Sequence, residues 1–242
     1  MLTRRFMLLT VAGVTVSADV SWIAVAPLLL WTLSEVTMPA LVPELSGTAY
    51  WGMALAATCG VVLSLMLREL THIFVARRAG VPLDAVTLFI FGGVAAAPPG
   101  RVKAELKAAA AGLLASIALA VLLFAFFVLE AGPRMSLAAL GVALFLMGFN
   151  GIVAAIGLLP AYPLSSGRVL RSALTHWIED AGKATRIARA IAGAIASAIL
   201  AAGAWIAASG GVLAGLWLML LGLLIGAVAL FDKRDRAAPQ RP

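Results

Sequence analysis

The chain has few of the residues from which soluble domains and disulfide-bonded scaffolds are built. Charged residues make up 12% of its 242 residues, whereas about a quarter of a typical soluble domain is charged. The single cysteine, Cys59, excludes an intramolecular disulfide and lies inside an apolar run. The two histidines are His72 and His176, so a metal site could draw on two imidazoles at most.

Apolar residues are in excess. They make up 63% of the sequence, and the mean hydropathy is +1.06. Soluble domains are closer to half apolar, so the composition indicates an integral membrane protein whose main contact is the lipid bilayer. The net charge of +7 does not indicate nucleic-acid binding, because the basic residues fall between the apolar runs.

Six apolar runs divide the sequence, each long enough to cross a bilayer as a helix. The first four cover residues 20–41, 50–76, 108–129 and 137–159. The last stretch, 187–231, is too long for one span, and residues 209–211 split it into a helical hairpin. The sequence predicts an all-α integral membrane protein of six transmembrane helices, with a short β-like insert after the second helix. The expected parts are a cytoplasmic or interfacial segment at 1–19, the membrane domain at 20–231 and a polar cytoplasmic tail at 232–242.

Lys and Arg alternate between the two sides of the predicted bundle. From the N-terminal segment to the tail, the seven segments between the runs hold 2, 0, 5, 1, 5, 0 and 4 of them, with Arg189 at the start of the last stretch counted in the fifth. Since segments rich in Lys and Arg stay in the cytoplasm, both termini are predicted to be cytoplasmic. A signal-peptide interpretation of the N-terminus is rejected, because cleavage after Ala18 would invert every loop. High alanine with more Arg than Lys indicates a GC-rich genome, and a bacterial inner or plasma membrane is expected.

Two connections contain sequence that a regular helix cannot accommodate. After Gly80 and Pro82, residues 86–91 form a short β-like run that ends at a Gly-Gly turn. Later, Pro160 and Pro163 stand three residues apart after the fourth run. Non-helical backbone near membrane depth is tolerated where protein buries it or water reaches it. Both connections are predicted on the cytoplasmic side, where they can line one pocket.

The second run ends in R-E-L-T-H at 68–72, one residue short of H-E-x-x-H. In that motif two histidines, four residues apart on one helix face, bind zinc, and the glutamate between them is the general base. Arg68 stands at the first histidine's position, whereas Glu69 and His72 match the pattern. This stretch is therefore the candidate functional site.

Three pieces of the sequence resemble the site-2 protease family of intramembrane zinc metalloproteases, in its compact six-helix form. E-L-T-H at 69–72 and V-A-R-R-A-G-V at 75–81 are similar to the family's H-E-L-G-H and V-A-R-R-x-G-V. T-L-F-I-F-G-G-V at 87–94 is similar to its strand and Gly-Gly turn. L-L-P-A-Y-P-L at 158–164 and G-R-V-L-R at 167–171 resemble N-L-L-P-A-F-P-L-D-G-G-R-V-L-R. The pieces occur in the family's order, with apolar runs in compatible places.

The departures from the family pattern fall on its zinc ligands. Arg68 replaces the first histidine, and Ser165 replaces the aspartate that is the third ligand. Ser166 and Gly157 replace a glycine and an asparagine of the third piece. The resemblance implies that His72 is the one surviving ligand position.

Zinc binding is not expected from this set of residues. A catalytic zinc needs about three protein ligands, and a guanidinium has no lone pair to donate. A serine hydroxyl is a poor substitute for a carboxylate, and without metal no water is acidified for Glu69, the family's general base. Surface or turn roles are expected for the remaining candidates for replacement ligands: His176, Asp84, Glu179 and Asp180. No cofactor is therefore expected.

Two orientations are open to the Arg68 side chain. It could extend toward the cytoplasmic surface, or it could turn into the pocket beside Glu69 and Ser165. The inward orientation is favoured, because charges inside a membrane protein usually face the bundle interior and find partners, and because the family's helix turns this position inward.

The sequence favours a pseudoprotease that binds or regulates a single-span membrane helix or peptide segment. Strand addition is the proposed binding mode. The residues expected to carry it are Val86, Thr87, Leu88, Phe89, Ile90 and Phe91. The alternative is an active zinc protease that cleaves single-span membrane substrates, with zinc as its cofactor. A transporter or channel has little support, because Arg68 and Glu69 are nearly the only ionisable residues inside the spans.

Overall fold

The computed structural model describes residues 5–11, 13–80, 85–89, 92–95, 102–130, 136–162 and 164–231. The chain divides into two compact units, the first made of Met1–Ala97 and Lys107–Leu158 and the second of Pro98–Leu106 and Leu159–Pro242. The helices are α1 (Trp22–Thr32), α2 (Met38–Leu41), α3 (Gly47–Arg78), α4 (Val102–Glu130), α5 (Leu137–Leu158), α6 (Ser165–Ile178), α7 (Ala181–Ala208) and α8 (Val212–Phe231). A π-helical turn, Leu33–Thr37, joins α1 to α2 without a break.

Five helical segments in the described part of the chain are long and apolar enough to cross a membrane. They are Trp22–Leu41, Gly47–Arg78, Val102–Leu129, Leu137–Leu158 and Ala181–Ala208. A shorter apolar stretch, Val212–Ala227 of α8, follows α7. These helices match the six apolar runs. The prediction of an all-α multi-pass membrane protein is therefore confirmed, and its helices contact the lipid bilayer.

The helix α3 carries the candidate site and has well-defined ends. At its start, the side chain of Ser46 accepts a hydrogen bond from the Ala49 amide at 3.3 Å. At its end, Arg77 and Arg78 lie in the last turn, and Gly80 adopts a positive φ of 76°. Its 32 residues correspond to about 48 Å, longer than a bilayer core of about 30 Å.

A four-stranded sheet in the first unit is larger than the predicted insert. Its strands are β1 (Arg5–Val11), β2 (Val14–Asp19), β3 (Ala85–Phe89) and β4 (Gly92–Ala95). They lie in the order β1-β2-β3-β4, and β2 pairs with β3 in parallel while the other pairs are antiparallel. The N-terminal segment therefore contributes half of the sheet. Sequence reasoning expected a cytoplasmic or interfacial segment at 1–19 and did not predict this pairing, which joins residues about 70 positions apart along the chain.

The helices α3 and α5 pack side by side in the same direction. A Cβ at Gly60 would lie 2.6 Å from Cδ1 of Leu146, and Asn150 contacts Ser64 one turn further along. Residue numbers rise together on both helices, so α3 and α5 run parallel. This is the relation expected of the second and fourth spans of an alternating bundle.

In the second unit, α7 and α8 form the predicted helical hairpin. The turn contains Gly210, whose φ of 101° is a conformation that glycine adopts without strain. A Cβ at Gly203 would lie 2.8 Å from the carbonyl oxygen of Gly215. The glycines let the two backbones approach closely, as small residues do between membrane helices.

The segment with two prolines interrupts the helices as predicted. The helix α5 ends at Leu158, and α6 begins at Ser165. A Cβ at Gly167 would overlap the backbone of Ala161 and Tyr162, so this turn requires glycine. Sequence reasoning treated the residues after the turn as a cytoplasmic connection and did not predict α6, whose 14 residues are too few to span a bilayer.

Candidate functional site

The buried face of α3 carries the R-E-L-T-H residues. Arg68, Glu69 and His72 expose 6%, 2% and 3% of their surface. Glu69 follows Arg68 directly, and His72 is four residues after Arg68. The three side chains therefore lie on the same, buried side of α3. The structure brings together the expected general base, the surviving ligand position and the arginine that replaces a ligand.

Arg68 points into the protein and forms an ion pair. Its Nη1 donates a hydrogen bond to Oε1 of Glu69 at 3.0 Å. Contact between opposite charges offsets part of the cost of removing both from water, so the pair can be held inside an apolar bundle. Of the two orientations open to Arg68, the structure has the inward one.

Two glycines on neighbouring helices border these side chains. On α5, a Cβ at Gly157 would lie 2.9 Å from Nη2 of Arg68. On α4, a Cβ at Gly112 would lie 3.5 Å from the Cβ of His72, which is ordinary van der Waals contact. The guanidinium therefore occupies space that any side chain at position 157 would need.

The ion pair leaves two buried polar atoms unsatisfied within the described residues. Nε of Arg68 and Oε2 of Glu69 have no hydrogen-bond partner there. A buried carboxylate oxygen without a donor is costly. Glu69 therefore keeps one oxygen that could accept a further donor, while its other oxygen is committed to Arg68.

The residues at this site do not fit a zinc ion. The described residues contain no group of three or more His, Cys, Asp or Glu side chains that could hold a metal. Glu69 and His72 are the side chains on the buried turn of α3 that could bind a metal ion, and the guanidinium beside them has no lone pair. Its positive charge also opposes a divalent cation at close range. A stable zinc site needs about three protein ligands, so this donor set falls short.

Ser165, which stands at the third ligand position, lies in the second unit. It is the first residue of α6 and is buried, with 8% of its surface exposed. The neighbouring Ser166 donates a hydrogen bond from its hydroxyl to the carbonyl of Leu159. Ser166, which also departs from the family pattern, thus stabilises the turn between α5 and α6.

The other candidate ligands in the described residues have structural roles. His176 is an exposed residue in the last turn of α6, and Glu179 ends that helix with a left-handed φ of 56°. Asp180 caps α7 by accepting a hydrogen bond from the Lys183 amide at 2.9 Å. That bond is the main cause that lowers the pKa of the Asp180 carboxyl. Asp84 lies outside the described residues.

Sequence reasoning missed a buried polar cluster in the second unit. Arg171 donates a hydrogen bond to the Tyr162 hydroxyl at 3.3 Å, with its guanidinium 5.1 Å from the centre of that ring. Ser172 donates to Oε2 of Glu105 at 2.7 Å. Arg168, Arg171 and Ser172 occupy one face of α6 at helical spacing, and all three are buried. That spacing was the available signal, but sequence reasoning used the two arginines only as loop charges and as part of the G-R-V-L-R piece at 167–171.

The predicted partner-binding strand lies inside the sheet. Residues 86–88 of β3 pair with β2 on one side and with β4 on the other. Ile90 and Phe91 lie outside the described residues. A strand can be added only at an edge, and the edges of the described sheet are β1 and β4. An added peptide would therefore pair with an edge strand rather than directly with β3.

An open apolar groove lies between α3 and α4 in the first unit. Its volume is about 450 Å³. Its lining consists of Leu67, Thr71, Ala111, Leu114, Ala115, Ala118, Leu119 and Leu122. Leu67 and Thr71 flank the buried turn on the neighbouring face of α3, so the groove lies beside the candidate site.

Curated relatives share much of this sequence, although no family model matches it. The chain is 32% identical over 221 residues to Rip3 of Mycobacterium tuberculosis, which is assigned as a zinc metalloprotease. The match covers 90% of the chain and 56% of Rip3. A second relative with the same assignment, sll0528 of Synechocystis sp., is 31% identical over 162 residues, covering 66% of the chain and 41% of the relative. The chain spans about half the length of these relatives.

Both the sequence and the fold lead to one family. The zinc metalloprotease MJ0392 of Methanocaldococcus jannaschii is 33% identical over 117 residues, which cover 47% of the chain and 32% of that protein. The fold is similar to that of a solved site-2 protease from Methanocaldococcus jannaschii, with a TM-score of 0.66, 21% identity and 96% of each chain covered. At that identity the structural likeness shows the fold alone, but it agrees with the relatives and with the three sequence pieces around α3, β3 and α6. The chain belongs to the site-2 protease family.

Proposed function

We propose that this chain is a pseudoprotease, which binds or regulates membrane-embedded segments of partner proteins without cleaving them. The observation that carries the proposal is the ion pair between Arg68 and Glu69, 3.0 Å long and buried. It commits an oxygen of the expected general base to a guanidinium. It also places a permanent positive charge at a position where the family has a zinc ligand.

The chemistry of the remaining donors supports this proposal. His72 and Glu69 supply at most two ligands, and a serine hydroxyl at Ser165 adds little affinity for a metal cation. Hydrolysis in a zinc protease depends on a metal that acidifies its bound water. A site without sufficient ligands lacks that function, whatever its likeness to active relatives.

Binding of a membrane segment is the function that remains for the scaffold. The groove between α3 and α4 is apolar, and its lining on α4 includes three small residues, Ala111, Ala115 and Ala118. Small residues let membrane helices approach closely, so a single-span helix is the favoured occupant. The strand residues 86–89 would contribute through the edge of their sheet, where β4 could pair with an extended peptide.

The proposed location is a bacterial inner or plasma membrane, with both termini in the cytoplasm. The distribution of Lys and Arg supports this orientation, because the basic segments alternate with segments that hold one basic residue or none. In this arrangement residues 20–231 form the membrane domain, and the C-terminal end of α3 faces the cytoplasm.

An active zinc-dependent intramembrane protease is the second candidate. Glu69 and His72 favour it, since both are buried on the face that carries the family's catalytic residues. The assignment of the relatives as zinc metalloproteases also favours it. This candidate requires ligands beyond those of α3, and Arg68 would have to leave Glu69.

Metal analysis distinguishes the two candidates. Protein purified in detergent without added zinc should contain far less than one zinc per chain, and His72→Ala should not change that content. Near-stoichiometric zinc that is lost on His72→Ala would contradict the pseudoprotease proposal. The exposed His176 provides a matched control, since His176→Ala should leave the zinc content unchanged in either case.

Cysteine crosslinking tests partner binding. In a Cys59→Ser background, Ala115→Cys places a thiol in the groove, while Ile117→Cys places one on an exposed face of α4 at the same depth. Co-expressed single-span helices should crosslink more to the groove position than to the control. Equal crosslinking at both positions would contradict docking in this groove.

A further inference from the structure

A glycine of α5, Gly157, lies beside the Arg68 guanidinium. A Cβ built at Gly157 would stand 2.9 Å from Nη2 of Arg68, closer than real Cβ atoms are found to their neighbours. The same guanidinium is fixed on its other side by Oε1 of Glu69, 3.0 Å from Nη1. The guanidinium therefore lies between the Glu69 carboxylate on α3 and the backbone of Gly157 on α5.

We infer that Gly157 is the positioning residue that lets the Arg68 guanidinium reach Glu69, so that Arg68 and Gly157 act as one coupled site. A side chain at position 157 would push the end of Arg68 away from its present place. Because Arg68 is flexible, the main consequence is not a backbone clash but a distorted contact with Glu69. Both charges are buried, so a weakened contact leaves each of them poorly compensated.

The other glycines of the same helix do not share this role. At Gly148 and Gly151 a Cβ would meet nothing within 4 Å, so these positions tolerate alanine. Among the glycines of α5, Gly157 is the one at which an added Cβ would meet the guanidinium. Gly112 on α4 approaches the same turn, but at 3.5 Å or more from its atoms, which a methyl group can accept.

The coupling has a direct consequence for metal binding. With arginine at position 68 and glycine at 157, the guanidinium holds a positive charge beside Glu69, which opposes a divalent cation at close range. A change at Arg68 alone would leave an unfilled space beside Gly157. The two departures from the family pattern, on different helices, thus compensate each other.

Thermal unfolding of the full chain in detergent tests the inference, with Gly151→Ala as the matched control. Alanine is favoured over glycine inside a helix, so Gly151→Ala should raise the melting temperature or leave it unchanged. Gly157→Ala should melt lower than Gly151→Ala, by on the order of 2–4 °C. Equal melting temperatures for the two alanine variants would overturn the inference.

A second background keeps the test specific for the guanidinium. Arg68→Ala combined with Glu69→Gln removes both charges, so no buried carboxylate is left unpaired. In that background Gly157→Ala and Gly151→Ala should have the same effect, because no guanidinium remains to be displaced. A persistent difference between the two glycine variants would show that Gly157 acts through another neighbour and would overturn the coupling.

This inference deepens the proposed function and rests on the same ion pair, but its experiment measures neither zinc nor cleavage. A zinc-free protein whose two alanine variants melt alike would overturn the coupling and leave the pseudoprotease proposal standing. A zinc-loaded protein would overturn the proposed function, whereas the melting comparison would still decide the role of Gly157.

Discussion

Asn150 on α5 donates a hydrogen bond from Nδ2 to the hydroxyl of Ser64 on α3, at 3.1 Å. Both residues are buried, and Ser64 lies one helical turn before Arg68. The same nitrogen also contacts the carbonyl of Leu146 at 2.8 Å on its own helix. A side-chain hydrogen bond thus joins the two parallel helices that hold the ion pair and Gly157.

We expect Asn150→Ala to weaken the contact between α3 and α5. Interhelical hydrogen bonds in membrane proteins contribute about 0.6 kcal/mol on average and up to about 2 kcal/mol. The melting temperature in detergent should therefore fall by a few degrees at most. Ser64→Ala should add little to Asn150→Ala, because either change alone breaks the bond, and fully additive effects would contradict a direct contact.

Repair of the zinc site should require two simultaneous changes. Arg68→His with Ser165→Asp supplies the two ligand types missing from the family pattern, and the purified variant should bind zinc. Each single variant should bind far less. Arg68→His lacks the carboxylate, and Ser165→Asp keeps the guanidinium.

Metal analysis of the single and double variants checks the repair, with the double variant carrying His72→Ala as the control that should lose zinc. A double variant that inserts and folds but remains zinc-free would mean that the pocket has diverged beyond its ligands.

The orientation in the membrane can be checked with reporter fusions. Fusions at Glu44 and Gly210 should report the outer side, because the segments around them hold no Lys or Arg. Fusions at Lys103 and Lys183 should report the cytoplasm. A cytoplasmic reporter at Glu44 would contradict the six-span arrangement.

The N-cap of α7 should make a small pH-dependent contribution to stability. The pKa of Asp180 is lowered from its ordinary value of 3.8, chiefly by the hydrogen bond from the Lys183 amide. A lowered pKa means that the carboxylate stabilises the folded protein above that value. The contribution is lost as the pH falls through the folded-state pKa. Wild type should therefore melt above Asp180→Ala at about pH 6, and the difference should shrink at about pH 3.

Asp180→Asn is the matched control, since asparagine also caps helices but does not titrate in this range. Its melting temperature relative to Asp180→Ala should change little between the two pH values. A difference between wild type and Asp180→Ala that is constant across pH would contradict the role of the carboxylate charge.

Part of the fold could be predicted from the sequence because its causes are local. Apolar runs of sufficient length indicate membrane helices in any context, and a turn such as that at Gly210 divides a run too long for one span. The break between α5 and α6 follows from two prolines that no helix interior accepts. The motif at 68–72 placed Arg68, Glu69 and His72 on one turn, since helical spacing alone fixes their relation.

The sequence by itself thus determined the membrane class, the apolar membrane helices and the composition of the site. Tertiary structure decided the rest, because it depends on contacts between distant segments. The parallel pairing of β2 with β3 joins two segments separated by α3, and no local pattern specifies it. The inward orientation of Arg68 depends on Glu69 and on the space left by Gly157, which belongs to a helix about 90 residues later. Whether a charge is held inside or reaches a surface is a question of which partners surround it, and the fold supplies those partners.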